Sequence, residues 1–125
     1  MDTKNQVDVV ADVSQNALKL SFTGEIRATE MSRYETEVAH ALPSLHPGFS
    51  LLTDFTEMTS MELTCVPYIE RTMDAFRNSG VKLIVRIIPD RSKDIGIGIL
   101  SLFHYPRGIR IVTTETRDEA RHVLP

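Results

Sequence analysis

One cysteine, Cys65, stands in 125 residues. That excludes an internal disulfide, and a lone thiol cannot by itself build a cysteine metal site. Basic charge is also short: 14 Lys and Arg face 17 Asp and Glu, a formal net of −3. Such a balance offers no electrostatic footprint for a polyanion, so no nucleic-acid partner is expected. No apolar run approaches the roughly 20 residues of a membrane helix. The longest, Ile95 to Phe103, is broken by two glycines and a serine. The opening MDTKNQVDVV is polar and lacks the apolar centre of a secretory signal. These absences predict a soluble, cytoplasmic chain without membrane insertion. A Gly-rich phosphate cradle is missing as well. Gly96-Ile97-Gly98-Ile99-Leu100-Ser101 superficially matches a dinucleotide fingerprint. Its glycines, however, fall inside a helical apolar pattern well past the preceding strand, where helix packing is the better reading.

The residues present describe an ordinary globular chain. Hydrophobic content of 42% with 25% charged residues is enough to drive a core and argues against disorder. At this length one domain, residues 1–125, is expected, with 1–6 as a flexible start.

Val7, Val9, Ala11 and Val13 alternate with polar or small neighbours, as do Leu18, Leu20 and Phe22 beyond the turn Ser14-Gln15-Asn16. Two half-wet strands so joined predict an antiparallel hairpin. Met31, Tyr34, Val38, Ala41, Leu42 and Leu45 keep helical spacing from Ala28 onward, and Pro43 should end that helix near Ala41. A buried strand is expected over Phe49 to Asp54, then a polar loop from Phe55 to Thr64. Val66, Ile69, Met73 and Phe76 mark one face of the next helix, with Pro67 in its first turn and Asn78-Ser79-Gly80 as its stop. Val81 to Ile88 reads as an interior strand, and a helix capped by Ser92 or Asp94 runs to about His104. A last strand covers Ile109 to Thr113, and Thr114 is expected to cap a final helix carrying Glu115, Asp118 and Glu119 near its positive end. The order β-β-α-β-α-β-α-β-α predicts an α/β fold: a mixed sheet, parallel in its latter two-thirds, with helices mainly on one face.

That order, and the segments LKLSFTGEIRATEMSRYETEV, SLLTDFTEMTSMELTCV, FRNSGVKLIVRII and IRIVTTETRDEARHVL, resemble STAS domains, the fold of bacterial anti-sigma-factor antagonists. The resemblance runs from Val9 to Leu124. In that family the segment after the third strand typically reads Asp-Leu-Ser, then Asp-Ser-Ser-Gly-Leu. Asp54-Phe55-Thr56 matches the first part, and Glu62-Leu63-Thr64-Cys65-Val66 stands where the second belongs. The serine that a partner kinase phosphorylates is thereby Leu63, which has no hydroxyl. The resemblance implies a non-enzymatic, cofactor-free regulatory module with a degenerate phospho-switch. Its implied partner is a protein, either a relative of anti-sigma factors and switch kinases or a second copy of the chain.

Ligands and partners of open α/β sheets sit beyond the carboxyl ends of strands, which directs attention to the stretch after Asp54. Phe55, Thr56, Met58, Ser60, Met61, Glu62, Leu63 and Thr64 are the expected partner-binding residues. Leu63 is expected to be exposed and to anchor the contact, because an apolar side chain among hydroxyls and acids suits a docking surface. Thr64 and Ser60 are the hydroxyls open to phosphorylation, though Thr64, or Thr59 through Glu62, reads more simply as a helix cap. Asp54 should fix the loop by bonding backbone N–H groups. Asp54, Glu57 and Glu62 lack the oxygen-rich spacing of a calcium loop, and no metal site is expected. Cys65, without a histidine placed beside it, reads as a packing residue rather than a nucleophile. Ile97 and Leu100 fall off the stripe formed by Ile95, Ile99, Leu102 and Phe103, so Ile97, Leu100 and Phe103 mark an expected apolar patch on the helix. They serve either deeper burial or an exposed patch for a subunit or lipophilic ligand. A small lipophilic-ligand domain of the same fold is the alternative function.

Overall fold

The computed structural model describes residues 4–89 and 109–124. A five-stranded sheet runs in the order β1 (Gln6–Asp12), β2 (Ala17–Ile26), β3 (Ser50–Met61), β4 (Leu83–Ile87) and β5 (Arg110–Thr114). The first pair is antiparallel and the other three are parallel, as the alternation of strands and helices predicts. Helix α1 (Ala28–Ala41) connects β2 to β3, α2 (Val66–Asn78) connects β3 to β4, and α3 (Arg117–Val123) follows β5. The helix expected between Ser92 and His104 lies outside the described residues. So do Ile97, Leu100, Phe103 and the glycines of the Gly96–Ser101 stretch.

The two faces of the sheet carry separate cores. Leu18, Leu20, Phe22, Leu51, Phe55 and Ile84 point toward α1 and α2, where they meet Met31, Tyr34, Val38, Ile69 and Phe76. Leu83, Val85 and Ile87 point the other way, onto Ala120 of α3 and its partly buried neighbours Val123 and Leu124. Alternation along β4 therefore feeds both faces, which is why its sequence reads apolar on both sides apart from Arg86. Tyr34 donates a buried hydrogen bond to the Thr72 hydroxyl at 3.0 Å, and Thr72 donates back to α2 carbonyls. On the surface Arg71 makes a two-pronged pair with Glu35. These contacts tie α1 to α2.

Asn16 explains how the hairpin meets the rest of the sheet. It takes a left-handed conformation with φ of 51°, which asparagine tolerates better than most residues. Its side chain then accepts from the His46 N–H at 2.8 Å and donates to the His46 carbonyl at 3.2 Å. The turn before β3 is thus tied to the turn after β1. Where α3 begins, the expected cap is corrected. Thr114 is the last residue of β5, buried in the sheet and paired with Ile87. Thr116 is the cap, accepting from the Glu119 N–H at 3.1 Å.

The chain before β1 crosses β2 at Gly24. Asn5 accepts a hydrogen bond from the Glu25 N–H at 3.0 Å, so the stretch expected to be loose is held at this point. Gly24 has φ of +75°, and a Cβ there would lie 2.4 Å from Asn5 Oδ1 and 2.8 Å from the Lys4 carbonyl. Gly24→Ala should therefore lower the unfolding free energy by more than about 1 kcal/mol, since both the backbone conformation and the crossing are lost. Chemical denaturation checks this, and an unchanged midpoint would show that the crossing is loose.

Candidate functional site

The expected loop after Asp54 is strand. β3 continues to Met61, twelve residues in all. Its pairing changes at Asp54: Ser50 to Asp54 have β2 on one side and β4 on the other, whereas, among the described residues, Glu57 to Met61 pair with β2 alone. The β2 register slips twice in that extension, between Ser21 and Thr23 and between Gly24 and Glu25. Each slip places one extra β3 residue against β2, so the strand bends and re-aims its side chains.

Buried residues consequently recur at Phe55 and Met61, with Met58 partly buried between them. Phe55 stacks on Phe22 with ring centroids 4.9 Å apart, and Met61 lies in the main core. Both were expected to face a partner, and both are corrected: they hold the ribbon to the fold. Of the remaining expected residues, Glu62, Leu63 and Thr64 are exposed, while Thr56, Met58 and Ser60 are partly buried.

Asp54 sits where β4 stops. It is only 8% exposed. Its Oδ1 accepts from the Thr56 N–H at 2.9 Å and from the Thr56 hydroxyl. Its Oδ2 accepts from Arg117 Nε at 2.8 Å. Arg117 also approaches Glu57, at 3.8 Å. The backbone bond follows from the sequence; the Arg117 partner does not. Burial pushes the Asp54 carboxyl up, but the Thr56 and Arg117 bonds outweigh it and hold it below the ordinary 3.8.

The residues after Met61 make a tight 3-10 turn, Leu63–Cys65, before α2. The Ile26 carbonyl fastens it, accepting from the Glu62 N–H at 3.0 Å and from the Cys65 thiol at 3.4 Å. Cys65 is wholly buried, and burial pushes its thiol up to about 11. Its burial suits the packing role expected of it, and a raised thiol disfavours the thiolate. With Cys65 and Met61 turned inward, Leu63 projects outward and is 74% exposed. The expected helix cap is corrected too. No side chain caps α2, and the Thr64 hydroxyl instead donates to the Glu62 carboxylate at 3.4 Å. The 3-10 turn does the capping, since it satisfies the Cys65 and Val66 N–H groups internally.

Beneath the ribbon, between the sheet and the two helices, lies an apolar cavity of about 50 Å3 lined by Phe55, Met61, Ile69 and Phe76 among others. Small-molecule sites occupy roughly 300–1,000 Å3. Among the described residues, no group of three or more His, Cys, Asp or Glu side chains is placed to hold a metal ion.

Comparison with solved structures finds this architecture elsewhere. A protein with a SpoIIAA-like fold from Shewanella loihica superposes with a TM-score of 0.73, over all of this chain and 98% of its own, at 13% identity. The anti-sigma factor antagonist SpoIIAA in its unphosphorylated form gives 0.62 over 96% of each chain, also at 13% identity. The fold is the SpoIIAA-like, or STAS, fold. An anti-sigma-factor antagonist (STAS) domain protein of Planctomyces limnophilus gives 0.60 at 15% identity, over 98% of this chain and 99% of its own. No protein-family model and no curated protein sequence matches the chain.

Asp54→Ala should lower stability by about 1–2 kcal/mol at neutral pH, because it strands the Thr56 N–H and releases α3. Arg117→Ala should do less, its guanidinium being half exposed and the pair screened. The Asp54 carboxyl titrates lower folded than unfolded, so its contribution is present above the ordinary 3.8 and is lost as pH falls through the native value. Urea titrations of wild type and Asp54→Asn across acidic pH should therefore converge below that value. A pH-independent gap would assign the effect to shape alone.

Proposed function

We propose that this chain is a non-enzymatic regulatory module that docks a protein partner through the end of the β2–β3 ribbon and the start of α2, with Leu63 as anchor. The observation that carries this reading is Leu63 itself. It stands in solvent on a turn that the Ile26 carbonyl and buried Cys65 fasten to the fold, and the core does not use it. An exposed apolar residue flanked by the exposed Glu62 and Thr64 has the make-up of an interface anchor. Several proteins sharing the fold are anti-sigma factor antagonists. An anti-sigma-factor-like or switch-kinase-like protein is therefore the partner class we favour over a second copy. Such a module acts in the cytoplasm. A non-enzymatic role fits the groups near the site: the one thiol is protonated and buried, and Asp54 is already spent on Thr56 and Arg117.

SpoIIAA of Bacillus has been solved in a phosphorylated form. In this chain the corresponding switch is degenerate. Leu63 stands at the position the family resemblance assigns to the acceptor. Thr64 is engaged by Glu62, whose charge would repel a phosphate placed beside it. The cavity under the ribbon is too small to favour the lipophilic-ligand reading.

Leu63→Asp is expected to abolish partner capture from the native cell while shifting stability by less than about 0.5 kcal/mol, the usual range for a surface change. Pull-down paired with thermal denaturation checks both halves, and retained capture would remove Leu63 from the interface. Phosphopeptide mass spectrometry of the native protein should find Ser60 and Thr64 unmodified. Substantial occupancy at either would restore a switch.

A further inference from the structure

We draw no further inference here: the strongest candidate, the edge of the sheet at β1 with its exposed Val10 and the groove between it and α1, carries nothing, because nothing in the structure shows what covers it.

Discussion

The structure turns on the loss, at Asp54, of one of β3's two neighbours. Up to that residue β3 is a central strand, clamped by β2 and β4 and buried on both faces. Beyond it, among the described residues, β3 has β2 alone, and a two-stranded ribbon is marginal in water unless something packs against it. Three devices hold it here. The Phe55–Phe22 stack and the Met61 side chain pin its inner face, Asp54 binds the departing backbone at Thr56, and the Ile26 carbonyl closes the far end on Glu62 and Cys65. All three together hold the exposed turn at Leu63 against the fold.

The parts of the fold legible in the sequence are those with an intact period. The hairpin shows alternation, α1 and α2 show helical stripes with Pro43 and Ser79-Gly80 as stops, and β4 shows the apolar run, interrupted at Arg86, of a strand buried on both faces. The ribbon was illegible for a definite physical reason. Its two bulges move the inward residues to Phe55, Met58 and Met61, a spacing of three that matches neither a strand's period of two nor a helix turn. Its one-sided pairing also lets Thr56, Glu57, Thr59 and Ser60 remain polar, so the segment has the composition of a loop. The error was one of form, since the stretch singled out does carry Leu63.

Electrostatics at the site followed a similar pattern. Asp54 could be placed from its position after a buried strand, which demands a partner for local N–H groups. Its ion pair with Arg117 joins residues 63 positions apart, and no local pattern encodes such a distance. The consequence is structural: the C-terminal helix on the back of the sheet is tied to the residue at which β3 leaves β4. Cys65 was legible as packing because no base accompanies it, and its burial against Ile26 agrees.

The central claim is that the ribbon beyond Asp54 exists to present the Leu63 turn to a partner. Amide hydrogen exchange on the complex captured from the native cell, compared with the free chain, tests it most directly. The account predicts slowed exchange from Glu62 to Tyr68, with α3 unchanged. A footprint confined to α3, or a complex that leaves the Leu63 turn exchanging as freely as before, would contradict it.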